Sequence, residues 1–441
     1  MVNILEVINK GDEDLSLLVK LATDTGEIPR GIVRYTIPHG EQQDIVLNNI
    51  SGFSSDHYGV IAIESNHEEY DARVTMYAPS TDRGNIPFSY SVPVSNKRGN
   101  KTYMSYNSYN PSRSALDQGL LVANWVSLAN TGDRQAAFEL VYYNQAGEEI
   151  SRKAVELPAL GRVDMQAGHE FPGGKSVGLI AVEPNTEGST YVAMLTRYAL
   201  KSSACSNNNC SANPSSNPSY SYAVGIPADN GSAEKQYVGI GGTAESMSVI
   251  ELAAVSPERA TGTFKWYSSE GTLQAQESFS LNPNAQRHIV VPATSLGSIE
   301  VSSESGKLLI GSVVYHYDED DASVAGVEYS PGAEPFGLSL YGSYNLHLGM
   351  NNWLRLFNTS AERETLTVRY LRARGSSEQD QYNIPPRGRL DLGIHERAMR
   401  NTYGLVEVTT SSPGVIAAQV VRTRSSSSNT GFEFTSATGV R

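Results

Sequence analysis

The chain has 441 residues, with 34 Lys and Arg against 47 Asp and Glu, a formal net charge of -13 and only 18% charged residues. That length is too great for one core, and acidic charge spread along the chain without a basic stripe argues against nucleic acid as a partner. Gly, Ser, Asn, Thr and Tyr are abundant, no long amphipathic helical pattern occurs and no apolar run reaches the length of a membrane helix, so the reading is all-β, many short strands joined by polar turns.

The first element is a pair of runs, Asn3 to Asn9 and Leu15 to Gly26, rich in aromatic and β-branched residues and separated by a short polar break. It reads as a β-hairpin. The same pair returns at Asn124-Trp125-Val126-Ser127-Leu128-Ala129-Asn130 with Ala137 to Gly147, at Ser248 to Ala254 with Thr263 to Gly271, and at Asn352 to Asn358 with Leu366 to Gly375. Trp125 and Trp353 hold equivalent places, and both are expected to anchor cores.

A Pro/Gly corner follows in each copy: Pro38-His39-Gly40, Pro158-Ala159-Leu160-Gly161, Asn282-Pro283-Asn284 and Pro385-Pro386-Arg387-Gly388. Proline fixes φ and glycine accepts conformations closed to other residues, which suits a turn between strands. Next comes a glycine opening a nearly continuous apolar strand, at Gly59, Gly178, Gly297 and Gly404, with the last core strands at Ala72 to Tyr77, Tyr191 to Tyr198, Leu308 to Tyr315 and Val415 to Val421. The glycines lie roughly 110 to 120 residues apart, too far for a solenoid unit, so each copy must bury its own core. A short aromatic strand then closes each copy, at Phe88 to Val92, Tyr220 to Val224, Val327 to Tyr329 and Phe432 to Phe434.

Copies two, three and four also open on a leading strand, at Thr102 to Tyr106, Gln236 to Ile240 and Phe336 to Tyr341. The first copy starts directly in its hairpin strand. About eight strands per copy gives four β-sandwich units in tandem, expected at 1-94 (leading strand missing), 100-228, 234-332 and 335-441, arranged as an elongated array. The first unit should present an open sheet edge, and two explanations compete: the chain is a fragment cut from a longer array, which is the favoured one, or the edge receives a strand from a protein partner or a neighbouring subunit in self-assembly.

The Asn-Trp-Val-Ser-Leu-Ala-Asn strand and the Pro-x-x-Gly corner, recurring once per unit, resemble the tandem immunoglobulin-like repeats of bacterial secreted and cell-surface proteins. The resemblance spans all four copies, although the third carries Val249 where the second and fourth have Trp125 and Trp353, and Ala254 where the others end in asparagine. It implies sandwich architecture and a surface location, and no functional residue.

Chemistry is sparse. The eight histidines do not recur at equivalent positions, and no Gly-x-Ser-x-Gly elbow, Walker loop or His-Glu-x-x-His occurs, so no enzyme is expected. Cys205 and Cys210 stand in a polar loop too poor in soft ligands for zinc; a local disulfide is favoured over two free thiols, and it implies an oxidising compartment. With no signal peptide at the N-terminus, such a leader is expected to have been removed or to lie outside this chain. Asp318, Asp320 and Asp321 are the candidate calcium ligands, weighed against a solvated acidic loop. Tyr103, Tyr106, Tyr109, Tyr220 and Tyr222 are a candidate sugar platform, weighed against ordinary strand positions. The expected function is a non-enzymatic extracellular structural, adhesive or assembly protein, with a carbohydrate-binding accessory region as the alternative.

Overall fold

The computed structural model describes residues 1–28, 32–50, 58–78, 89–94, 98–108, 122–167, 176–200, 205–206, 209–210, 220–241, 246–291, 296–317, 324–335, 337–372, 377–425 and 432–439. These form eight antiparallel sheets of three or four strands and one two-stranded ladder.

The first sandwich is built from β1 (Val2–Asn9), β2 (Leu15–Thr23), β3 (Ile32–Ile37), β4 (Gln42–Val46), β5 (Gly59–Ser65), β6 (Tyr70–Tyr77) and β7 (Ser89–Pro93), in sheets ordered β4-β1-β6-β7 and β3-β2-β5. The second has β8 (Thr102–Asn107), β9 (Val122–Asn130), β10 (Ala136–Asn144), β11 (Glu149–Leu157), β12 (Arg162–Ala167), β13 (Val177–Pro184), β14 (Tyr191–Leu200), the small ladder β15 (Cys205–Ser206) and β16 (Asn209–Cys210), and β17 (Tyr220–Pro227). Its sheets run β12-β9-β14-β17 and β11-β10-β13-β8. The third comprises β18 (Gln236–Ile240), β19 (Ser246–Ala254), β20 (Ala260–Ser268), β21 (Leu273–Leu281), β22 (Gln286–Val291), β23 (Gly297–Ser305), β24 (Leu308–Tyr317) and β25 (Val324–Pro331), as β22-β19-β24-β25 and β18-β23-β20-β21. The fourth comprises β26 (Ser339–Asn345), β27 (Asn351–Asn358), β28 (Glu364–Arg372), β29 (Ser377–Ile384), β30 (Arg389–Gly393), β31 (Tyr403–Thr410), β32 (Ile416–Ser425) and β33 (Phe432–Gly439), as β30-β27-β32-β33 and β26-β31-β28-β29.

The paired runs that read as hairpins are not hairpins. β1 and β2 lie in opposite sheets, as do β9 and β10, β19 and β20, and β27 and β28. The terminal asparagine explains the crossing: buried Asn130 Nδ2 donates to the carbonyls of Arg134, Leu157 and Pro158 while its Oδ1 accepts from Gly132 N–H. Asn358 and Asn9 repeat most of this set, so one side chain satisfies the backbone of the arch and ties it to the corner.

Each sandwich encloses its own core, exemplified by Val126, Leu128, Phe138, Leu140, Ile180 and Val182 in the second and by Leu354, Leu356, Leu366 and Val368 in the fourth. Trp125 and Trp353 are not core anchors. Successive side chains alternate across a strand, so Asn124, Val126, Leu128 and Asn130 face inward and Trp125 faces out, half-buried; Trp353 stands likewise beside Leu354 and packs edge-on against His395 with ring centroids 4.9 Å apart. The four glycines serve close approach: a Cβ at Gly59, Gly178, Gly297 or Gly404 would collide with the carbonyl oxygen of Ala22, Tyr143, Tyr267 or Leu371 on the neighbouring strand.

The array is closed, not elongated. The outer face of each β1-type sheet packs on the outer face of the β2-type sheet of the preceding sandwich, as where Ala253 and Val255 meet Tyr103, Tyr143 and Ala181, or Phe357 and Ala417 meet Tyr237 and Ala333. Strands β7, β17, β25 and β33 approach one another at the centre, and the fourth sandwich reaches the first through Arg422 and Glu6. Two apolar faces per sandwich cannot both be left to water, so the units stack face to face and the same offset brings the last onto the first.

The outward tryptophan and the inward leucine of β9 should respond differently to truncation. Leu128→Ala should cost about 2 to 5 kcal/mol through cavity formation, whereas Trp125→Ala should cost less than about 2 kcal/mol. Denaturant titration of both variants followed by circular dichroism checks the order.

Candidate functional site

The junctions between sandwiches carry the buried polar chemistry. Three places after Asn3 in β1, Asn124 in β9, Ser248 in β19 and Asn352 in β27 stand Glu6, Ser127, Glu251 and Arg355, pointing out of their own cores into the junction. At the second junction Arg197 of β14 forks onto Glu251, both Nη atoms at 2.7 Å, and Ser105 Oγ donates to Glu251 at 2.9 Å. At the third the polarity is inverted: Arg355 pairs with Glu328 of β25 through both Nη atoms, one at 2.9 Å. At the closing junction Arg422 forks onto Glu6 at 2.7 Å twice, Arg73 joins at 2.7 Å and also donates to Ser343 O.

Burial alone pushes these carboxyls up, yet the facing guanidinium groups more than offset it and hold Glu6, Glu251 and Glu328 below the usual carboxylate range. Asp44 is the exception. Burial, then the charge of Glu6, pushes it up to about 7 against its hydrogen bond from Gln42, while Asn345 Nδ2 donates to it across the closing junction at 2.9 Å.

A backbone contact recurs as well. The turn after β2, β10 and β20 inserts against the corner of the next sandwich, giving Arg162 N–H to Asp24 O, Gln286 N–H to Gln145 O and Arg389 N–H to Ser269 O at 2.8 to 3.0 Å. Gly26, Gly147 and Gly271 hold φ of 86°, 90° and 81° in these turns, and a Cβ on any of them would strike the corner backbone.

The first junction differs from the others. Ser127 occupies the charged position, and a cavity of about 390 Å³ lies between the first two sandwiches, lined by Met1, Tyr90, Trp125, Arg162, Met194 and Tyr198 among others. Arg162 forks onto Asp164 at 2.9 Å twice, donates to Ser127 Oγ and to Gly59 O, and lies 5.5 Å over the Tyr58 ring. Beside it, β5 has no partner on its outer edge among the described residues, whereas its equivalents β13, β23 and β31 pair with β8, β18 and β26.

Other sequence expectations are placed as follows. Tyr103, Tyr106 and Tyr222 are buried, which removes them from an exposed sugar platform; Tyr109 and the Tyr220 side chain lie outside the described residues. Asp318, Asp320 and Asp321 also lie outside them, and among the described residues no three His, Cys, Asp or Glu side chains cluster to hold a metal. Backbone pairing sets Cys205 opposite Cys210 on β15 and β16, and the side chains of both are outside the described residues. No described helix is long and apolar enough to cross a membrane. Sequence reasoning missed Glu6, Arg197, Glu251, Arg355 and Arg422; the signal was a lone charge at one repeat position for Glu6, Glu251 and Arg355 and at a second, on β14 and β32, for Arg197 and Arg422.

No family model and no curated protein matches the chain. Among solved structures, a beta-glucuronidase of Bacteroides uniformis aligns at 7% identity with a TM-score of 0.11, covering 53% of this chain and 26% of that one. Beta-glucuronidase 2 of the same organism, covalently bound to cyclophellitol-6-carboxylate aziridine, aligns at 8% identity and a TM-score of 0.11 over 53% and 26%, and its calcium-binding mutant at 10% and 0.12 over 56% and 27%. The chain thus spans about a quarter of those proteins, and superposition this loose carries no argument about fold or activity.

Asp44 makes the closing junction pH-sensitive. Its carboxyl ordinarily titrates near 4 and in the folded chain near 7, so the stability its neutral form contributes is full below about pH 4 and is lost as pH rises to about 7. Asp44→Asn should therefore be more stable than the parent above pH 7 and comparable at pH 4, the difference on the order of 1 to 3 kcal/mol after allowance for partial solvent access. Urea unfolding of both proteins between pH 4 and 8 measures it.

Proposed function

We propose that the chain is a non-enzymatic structural, adhesive or assembly protein working outside the cell, built of four immunoglobulin-like domains at residues 1-94, 100-228, 234-332 and 335-441. The observation that carries this reading is the closure of the sandwiches on one another: most of the buried charge is spent on joining units, through Glu6 with Arg422, Glu251 with Arg197 and Arg355 with Glu328. Such a body is a rigid platform for presenting surfaces. The extracellular part of the proposal rests on Cys205 and Cys210, whose opposed backbone positions suit a disulfide.

A second reading, carbohydrate binding, is favoured by the first-junction cavity, where Trp125, Tyr198 and Met194 lie beside the Arg162 and Asp164 fork. Flat aromatic faces with forked polar groups suit a sugar ring.

Small-angle scattering over a dilution series tests the main reading. The expected result is a particle much shorter than four sandwiches end to end, whose mass rises above 47.7 kDa with concentration. A constant monomer mass would remove self-assembly, and glycan-array binding abolished by Trp125→Ala would favour the second reading.

A further inference from the structure

We propose that the closing junction is a proton-operated latch: with Asp44 neutral the first and fourth sandwiches stay together, and with Asp44 ionised they part, while the sandwiches themselves and the other three junctions remain intact. The latch is a property of the ring and does not depend on the function proposed above.

The same place in each sandwich shows what is special about the first. Facing Glu6, Ser127, Glu251 and Arg355 from the adjoining strands β4, β12, β22 and β30 are Asp44, Asp164, His288 and Asp391. In the second and fourth sandwiches an arginine two residues earlier secures the carboxylate: Arg162 forks onto Asp164 at 2.9 Å twice, and Arg389 onto Asp391 at 2.7 and 2.6 Å. The first sandwich has Gln42 in that place, so Asp44 receives an amide, Gln42 Nε2 at 2.8 Å, where its equivalents receive a cation. Its other hydrogen bond comes from across the junction, from Asn345 Nδ2 at 2.9 Å. The two nearby arginines are directed elsewhere: Arg422 gives both Nη atoms to Glu6, and Arg73 gives Nε to Glu6 and Nη2 to Ser343 O. Among the described residues Asp44 enters no ion pair.

The groups around Asp44 are Glu6 on β1, Arg73 and Tyr77 on β6, Arg422 on β32 and Asn345 on β26; β31, which packs against β4, turns Tyr403, Leu405 and Glu407 toward the junction. Ionising Asp44 sets a second carboxylate beside Glu6 in a site closed to water, and burial followed by the charge of Glu6 pushes it up to about 7. Ile45 points into the core of the first sandwich, so its neighbour Asp44 points out, toward the fourth. Parting the junction therefore admits water to Asp44 without unfolding either sandwich. Little apolar surface opposes that step. Among the described residues the apolar cluster spanning this junction is Tyr77 and Met350, backed by Ile4, whereas the second junction buries Tyr103, Tyr143, Leu179, Ala253 and Val255 together. The polar contacts thus hold the closing junction, and Asp44 is the one of them that a proton changes near neutrality.

Met350 reports the latch in the unmodified chain. It is 1% exposed and packs on Tyr77 across the junction, whereas Met104 is sealed in the core of the second sandwich and Met399 is 59% exposed. The full chain is treated with dilute hydrogen peroxide at intervals between pH 5 and 8, and sulfoxide at each methionine is followed by peptide mass spectrometry. Taken relative to Met399, oxidation of Met350 should rise by up to about tenfold per pH unit as pH approaches 7 and level off above it, roughly 30- to 100-fold in all, while Met104 stays protected. Asp44→Asn removes the ionisable group and should hold the profile flat at its low-pH level. Gln42→Arg, which restores the arrangement of the second and fourth sandwiches, should hold Asp44 as a paired anion and flatten the profile as well. A Met350 rate that ignores pH, a rise at Met104 in step with Met350, or a pH profile that persists in whichever of the two variants folds would overturn the proposal.

Discussion

A sheet buried on both faces has no solvent side on which to leave a charge, and that constraint organises this molecule. Every β1-type sheet turns one face to its own core and the other to a neighbouring sandwich, so the strands β1, β9, β19 and β27 are almost wholly buried. A charge in the middle of such a strand is tolerable only when the neighbouring sandwich supplies its partner, with geometry good enough to offset desolvation. Glu6, Glu251 and Arg355 meet that condition with forked guanidinium–carboxylate pairs whose forked partner comes from a different sandwich each time, Arg73 of the first sandwich adding a second cation at Glu6.

The pairs also set the order of the units. Because the third junction inverts the polarity, placing Arg355 where the second junction has Glu251 would set it against Arg197, two cations in a dry interface. Hydrophobic faces alone are nearly interchangeable among the four copies, whereas like charges brought together cost several kcal/mol. The apolar surface supplies the association and the charge supplies the address.

Strand existence was legible in the sequence because β-branched and aromatic runs, Pro/Gly corners and the recurrent glycine each have a local physical cause. The leading strands at Gln236–Ile240 and Thr102–Asn107 fell where expected for the same reason. The hairpin reading failed because a short polar break between two apolar runs looks alike whether the chain turns back in one sheet or arches to the other; the deciding side chains, Asn130 and Asn358, act through carbonyls 26 to 28 residues away. Trp125 and Trp353 misled because size suggests a core, while strand parity places them beside the inward Val126 and Leu354. Closure was invisible locally, since Glu6 and Arg422 are 416 residues apart in sequence.

Closure also changes what damage to one junction means. In a string of beads a broken link separates the two halves, but in a ring the halves remain joined by the other three links, and the broken faces stay near each other at a high effective concentration. A weakened junction therefore opens as a transient gap and reseals, and parting the molecule requires two failures at once. The first junction, with Ser127 in place of a buried charge and a cavity beside it, is where such a gap opens most cheaply, so the ring carries a built-in seam.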